Sequence, residues 1–444
     1  MAAFATVSVD ARVLVFTLAV SIATGLIFGI APALQPLDAD LHQSLKQGDR
    51  GATCGRRGLE RSLVAVEVAL AFVLAIGAGL MIQTFARVRG IDPGFRTHNI
   101  VSVHLAGRRF RTPAQQAAFY DDVLRRILAV PGVLNAGFSN GIPVAFKGWF
   151  NGFMIEGQPP LPARRLTTAN YRVITPDYLK TLAIPLRAGR AIDSHDTVSA
   201  PPVALINETM QRKFWPTESP VGKHIRFGDD EPWITIVGVI GDIRQAGLDT
   251  PPKAEYYLPA AQQSTFANWL AVHTAGKPVA LAAAVRREIH AVDPTLPIVE
   301  LSTMDAILDR ETFLRRAQMI LLAAFAVLAV VLASLGIYGV LAYLVSRRKQ
   351  EIGIRIALGA APADVVRGIV GQGLRLSAIG ILAGSVAAMV VTRAMQKLLF
   401  GVTPTDPLTF FSVAALLLAV ASIASYLPAR RAMKVDPILA LRQE

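Results

Sequence analysis

Long uninterrupted apolar runs set the pattern of this chain. Val13 to Leu37 carries no charge, Ser62 to Ala86 carries only Glu67, and Ala317 to Ser346 and Pro407 to Ala429 carry none. At about 1.5 Å per helical residue, each exceeds the ~30 Å hydrocarbon core of a bilayer and predicts a membrane span. Leu376 to Thr392 is shorter and rich in Gly and Ala. It reaches spanning length when Arg375 and Arg393 snorkel to the two interfaces. The pattern thus predicts an α-helical membrane domain of about five transmembrane helices.

Between the second and third spans, residues 87–316 change rhythm. Gln115 to Val130 places Phe119, Val123, Ile127 and Val130 on one face of an amphipathic helix, ended by Pro131-Gly132. Ala280 to Val292 does the same with Leu281, Val285, Ile289 and Val292, ended by Asp293-Pro294. Val203 to Ile206 and Trp233 to Val239 are β-branched runs between turn residues, which predicts strands. A mixed α+β domain is therefore inserted between the second and third spans.

Composition agrees with a membrane protein: 52% of the 444 residues are apolar and 17% charged, against about 25% charged in soluble domains. The net charge of +13 and a pI near 10.2 invite a nucleic-acid reading, but the positions of the charges argue against it. Lys46, Arg50, Arg56, Arg57 and Arg61 follow the first span. Arg347, Arg348, Lys349, Arg355, Arg367 and Arg375 lie between the third and fourth, and Arg430, Arg431, Lys434 and Arg442 follow the fifth. These three regions fall on one side, which the positive-inside rule assigns to the cytoplasm. Arg87, Arg315 and Arg316 flank the large domain on the opposite side, where long domains translocate regardless of charge. The single cysteine, Cys54, excludes an internal disulfide framework.

Shifting the sequence by 396 positions lays Asp10–Gln47 on Asp406–Gln443 without a gap. Nine positions are identical, among them Asp10/Asp406, Pro32-Ala33/Pro428-Ala429, Asp40/Asp436 and Gln47/Gln443. Residues 1–37 thus read as the closing span of an incomplete first permease unit and 38–61 as a cytoplasmic linker. A second unit follows: span 62–86, external domain 87–316, a three-span domain 317–429 with a cytoplasmic segment at 347–360, and a tail at 430–444. Repeats of this kind are typical of transport proteins. On this reading the chain is the C-terminal part of a longer duplicated protein.

Tyr178-Leu-Lys-Thr-Leu-Ala-Ile-Pro-Leu-Arg-Ala-Gly-Arg190, Val203-Ala-Leu-Ile-Asn-Glu208, Phe214-Trp-Pro216, Pro220-Val-Gly-Lys223 and Val237-Gly-Val-Ile-Gly-Asp242 are similar to the periplasmic core domain of MacB/FtsX-type ABC permeases, the type VII mechanotransmission family. Arg348-Lys-Gln-Glu-Ile-Gly-Ile-Arg-Ile-Ala-Leu-Gly-Ala360 resembles that family's cytoplasmic coupling segment. The half-unit ahead resembles the duplicated acidobacterial-type orphan permeases.

The resemblance implies an inner-membrane protein driven by a cytoplasmic ATPase subunit, which binds the ATP; this chain then needs no cofactor. It further implies a second permease unit, lipid contacts, and a periplasmic adaptor or substrate protein. The ectodomains would act on peptides, lipids, lipoproteins or drugs already in the periplasm. ATPase contact would fall on Arg348, Glu351, Ile352, Arg355, Ile356, Leu358 and Gly359. Without the family, Ile352 and Ile356 lie four apart among Arg348, Glu351 and Arg355, as in an interfacial amphipathic helix. Two alternatives remain: a regulator of cell-wall hydrolases, as in the cell-division branch, and a membrane-anchored scaffold.

No G-x-x-x-x-G-K-[ST] phosphate cradle occurs in these residues. Gly137-Phe-Ser-Asn-Gly141 fits G-x-S-x-G, but Ile142-Pro143 interrupts the helix that a nucleophile elbow requires. The seven histidines show no metal-binding spacing. Glu67, about two helical turns from Arg61, reads as an acid solvated near the interface.

Overall fold

The structure, a computed structural model, describes residues 52–107, 110–157, 167–228, 230–348, 361–396 and 399–432, with Val15, Leu18 and Ala19 as isolated helical positions. The described chain divides into two compact units. One comprises Leu74–Val327 with Ala388–Phe411; the other comprises the residues up to Val73 with Leu328–Ala387 and those from Ser412.

Among the described residues, four helices are long and apolar enough to cross a membrane: α1 (Ala52–Arg89), α6 (Met304–Arg347), α7 (Pro362–Ala394) and α8 (Pro407–Ala432). The span expected at Val13–Leu37 lies outside the described residues apart from the three positions named above. The helices overrun the apolar runs that announced them. α6 starts at Met304 rather than Ala317, and α7 at Pro362 rather than Leu376. Apolarity marks where lipid lies, whereas the i to i−4 hydrogen-bond ladder continues through any polar residue that tolerates helical dihedrals. α8 begins at a well-formed cap: Asp406 Oδ2 accepts the Thr409 N–H at 3.1 Å and the Thr409 hydroxyl at 2.6 Å.

The first unit is built on eleven strands in one mixed sheet, ordered β11-β1-β10-β2-β4-β3-β7-β8-β6-β9, with β5 paired to β8. One arm holds β1 (Ile100–Leu105), β2 (Val133–Ser139), β10 (Trp269–Thr274) and β11 (Ile298–Thr303). It is covered by α2 (Pro113–Leu128) and α5 (Pro278–Val292), whose Phe119, Val123, Ile127, Val285 and Ile289 are buried against the strands. Those are the faces that the periodicity predicted. The Thr112 hydroxyl caps α2 with Pro113 in its first turn.

The other arm closes on itself. β4 (Thr167–Ile174) pairs antiparallel with β3 (Trp149–Ile155) and parallel with β9 (Glu255–Pro259). The ring passes through β7 (His224–Arg226), β8 (Ile234–Ile240) and β6 (Val203–Asn207). It encloses Phe153, Ile206, Met210, Trp215, Ile225, Ile236 and Tyr256. The strand expected at Trp233–Val239 is shifted by one residue, because Trp233 stays outside the ladder beneath the Arg226 guanidinium. β4 also touches β2, at Ile174–Ser139, so it belongs to both arms.

Candidate functional site

The residues quoted for the family resemblance turn out to be scaffold. In α3 (Tyr178–Thr181), Tyr178 packs so closely on β2 that a Cβ on Gly137 would lie 2.6 Å from its backbone. Asn207 caps α4 (Glu208–Phe214), accepting from the Met210 N–H, and its amide donates to Lys253 O at 2.7 Å. Asp242 accepts from the Thr209 N–H and hydroxyl, both at 2.8 Å, and from Arg212 at 2.6 Å. Arg190, which follows β5 (Leu186–Gly189), grips Asp196 with two hydrogen bonds of 2.8 and 2.7 Å. Burial alone would raise the Asp196 carboxyl; these bonds and the Asp193 N–H outweigh it and hold it below the ordinary value.

A buried charge pair lies in the closed arm where β4 runs beside β9. Arg172 Nε lies 3.0 Å from Glu255 Oε1, with both side chains almost fully enclosed. Tyr257 donates its hydroxyl to Glu255 at 2.7 Å. Burial pushes the Glu255 carboxyl up, against the pull of Arg172 and Tyr257. Neither residue stood out in the sequence.

Ser139 ends a strand and is fully buried, and the chain after it enters a turn rather than a helix, so it is no nucleophile elbow. Among the described residues no group of three potential ligands could hold a metal. The histidines are dispersed: His98 pairs with Asp305, His224 with Glu156, and His104 stacks on Trp269.

In the second unit, the expected coupling residues Glu351, Ile352, Arg355, Ile356, Leu358 and Gly359 lie outside the described residues; Arg348 is described. What is visible is how the chain enters and leaves the segment. Arg347 stacks over the Tyr343 ring at 5.5 Å, and the Arg348 N–H bonds to Leu344 O at 3.1 Å, extending the last turn of α6. Val345 is buried against Val365 and Ile369, so the two helices flanking the segment are packed on each other. A force applied between them is shared by both.

Farther along, the helices meet through small residues. Gly380 and Gly384, one turn apart on α7, face Ala65, Val68, Ala69 and Phe72 of α1. A Cβ would lie 2.7 Å from Ala65 O at Gly380 and 2.9 Å from Ala69 O at Gly384. Glu67 reaches α6, its carboxylate filling the space a Cβ on Gly336 would need, and Ser425 of α8 does the same at Gly373 of α7. Arg431 of α8 donates to the Tyr338 hydroxyl of α6 at 2.6 Å. Glu67 is exposed and also packs against α6. The G-x-x-x-G spacing of Gly380-Ile-Leu-Ala-Gly384 was the available signal for this contact.

Comparison with known proteins places these two regions. The family model described as MacB-like periplasmic core domain matches residues 63–292, and the one described as FtsX-like permease C-terminal matches 323–437. The macrolide export ATP-binding/permease protein MacB of Mannheimia succiniciproducens is 23% identical over 313 residues, 66% of this chain and 46% of that protein. The pyoverdine export ATP-binding/permease protein PvdT of Pseudomonas savastanoi is 26% identical over 269 residues, 59% of this chain and 40% of that protein. This chain spans less than half the length of these relatives. Among solved structures, the periplasmic region of MacB from Actinobacillus actinomycetemcomitans aligns at 13% identity and TM-score 0.35, over 51% of this chain and 95% of that one. The two arrangements, an external mixed-sheet domain and a set of membrane-length helices, are those of an ABC-type permease. The chain belongs to the MacB/FtsX-type ABC permease family.

Proposed function

We propose that this chain is the permease part of an inner-membrane exporter in which ATP hydrolysis on a cytoplasmic nucleotide-binding partner drives movement of the periplasmic domain. One observation carries the reading: both family domains lie on one chain in the order 63–292 then 323–437. The named relatives are ATP-binding/permease proteins for export, whereas these 444 residues hold no Walker A cradle. The ATPase is therefore supplied from outside them. Its push enters at 347–360, on Arg348, Glu351, Ile352, Arg355, Ile356, Leu358 and Gly359, and passes to α6 and α7 through Val345, Val365 and Ile369. Discrete helix packings turn that push into a domain movement. A second permease unit, a further copy or a fused half, completes the machine. Cargo is a peptide, lipid or drug reached from the periplasm.

The test is ATPase stimulation. The full chain is reconstituted with MacB-type nucleotide-binding subunits of the same genome, as wild type and as Glu351→Lys and Ile352→Asp. Stimulation lost in both variants supports the reading. No stimulation by any subunit, with the chain inserted and folded, overturns it.

A further inference from the structure

The periplasmic domain carries a cleft that coupling to an ATPase does not use. It lies where the end of β2, the start of β3, β4 and the start of β10 converge, and encloses about 240 Å³. Its walls are mainly aromatic. His104 lies flat on Trp269, with ring centroids 4.2 Å apart and planes 5° apart. Trp149 meets Tyr171 edge-on at 6.4 Å, and its side chain is 60% exposed. Its neighbour Phe150 is 53% exposed as well, so two aromatic rings stand open at this edge of the domain.

The polar groups in the cleft are uncharged. Asn140 accepts the Val173 N–H on its carboxamide oxygen at 3.0 Å, so it offers the cleft its NH₂ donor. Asn268 uses its NH₂ on His104 Nε2 at 3.0 Å, so it offers its carbonyl as an acceptor. Burial lowers His104 from the ordinary imidazole value, against the pull of Glu300. Among the described residues, no Lys, Arg, Asp or Glu lines the cleft. The volume suits two fused rings and is too small for a folded peptide element.

We infer that this cleft binds a flat, neutral, ring-containing small molecule, stacked on Trp149 and held at its edge by the donor of Asn140 and the acceptor of Asn268. Stacked rings supply affinity with little shape discrimination, and the two carboxamides orient the ligand.

The test uses the full chain in lipid nanodiscs with 5-fluorotryptophan at its four tryptophan positions, followed by fluorine NMR. Theophylline, a neutral fused bicycle with both a donor and acceptors, is the probe; myo-inositol, a non-planar polyol, is the control. Theophylline should shift the Trp149 and Trp269 resonances saturably and leave Trp215 and Trp233 in place. Trp149→Ala should weaken binding by about tenfold, the size of one lost stacking contact, and Trp149→Phe by less. Asn140→Ala should weaken it as well. Absence of a saturable shift, equal shifts at all four tryptophans, an affinity indifferent to Trp149→Ala in folded protein, or equal binding of myo-inositol would each overturn the inference.

Discussion

Alanine at Gly380 or Gly384 should loosen the α1/α7 contact by a calculable amount. The new Cβ at Gly380 would lie 2.7 Å from both Ala65 O and Val68 Cβ; at Gly384 it would lie 2.9 Å from Ala69 O and 3.1 Å from Ala69 Cα. Carbon contacts relax at about 3.5–4.0 Å, so the helices must part by about 1 Å. Backbone atoms make up much of the obstacle and cannot rotate aside. Overpacking of this kind costs about 1–3 kcal/mol, and the helix propensity gained over glycine returns up to about 1 kcal/mol. The net destabilisation is about 1–2 kcal/mol per site, or roughly 5–30-fold in the folding equilibrium. Gly371 on α7 and Gly339 on α6 supply the contrast, because nothing lies within 4 Å of a Cβ built at either. Their alanine variants should be neutral or slightly stabilising. Reversible unfolding in mixed micelles, titrated with SDS and followed by circular dichroism, measures all four. Equal midpoints for Gly380→Ala and Gly371→Ala, or a gain in stability at Gly384, would mean that α1 and α7 do not approach there.

The remaining predictions concern charge. Glu255→Gln strands a buried guanidinium and should destabilise the folded protein by about 3–5 kcal/mol, whereas Arg172→Met with Glu255→Leu should cost far less; thermal unfolding of single and double variants reads the difference. The Arg190–Asp196 pair sets an acid limb. The folded Asp196 carboxyl sits below its unfolded value, so its stabilisation is present above about pH 4 and is lost as pH falls through the folded value. Because Arg190 is 47% exposed, Arg190→Gln should remove no more than about 1 kcal/mol at neutral pH. It should remove progressively less as pH falls through the folded carboxyl value; a constant loss across the whole pH range would rule the linkage out.

Legibility from sequence followed the range of the forces involved. The α2 and α5 faces were readable because helical periodicity is local: Phe119, Val123 and Ile127 sit four apart and share one side of the helix. The ring formed by β4, β3, β7, β8, β6 and β9 was not readable, since it depends on pairings such as Asn170 with Glu255, far apart in the chain. Arg172 and Glu255 were hidden for the same reason; each is an ordinary charged residue until the fold encloses both. Val203 to Ile206, fully buried in β6, still announced a strand through its β-branched run. Of the expected repeat's first identity, Asp406 is described and caps α8. Its counterpart Asp10 lies outside the described residues. Motif resemblance identified the family through caps and turns such as Asn207 and Asp242, which fix a fold and perform no chemistry. The expected coupling segment was legible as a resemblance and as a short amphipathic pattern around Ile352 and Ile356, and most of it lies outside the described residues.

Within the second unit, the contacts differ in how much movement they permit. The α1/α7 approach at Gly380 and Gly384 sets backbone against both backbone and side chain, with no slack. Between α6 and α8, by contrast, lies an open groove of about 470 Å³ lined by Ser334, Leu335, Tyr338, Ile423, Leu427 and Arg431. Among the described residues Arg431 and Tyr338 tie it across with a hydrogen bond, and a single exposed bond of that type is worth only about 1 kcal/mol. On the proposed coupling, a push onto α6 would therefore meet less resistance across this groove than across α1/α7. Cysteines at Tyr338→Cys and Leu427→Cys, in a Cys54→Ser background, report the movement. Cross-linking between them should change when the partner ATPase cycles between its nucleotide-free and ATP-bound states. An identical yield in both states, with ATPase stimulation intact, would place the movement elsewhere among the four helices.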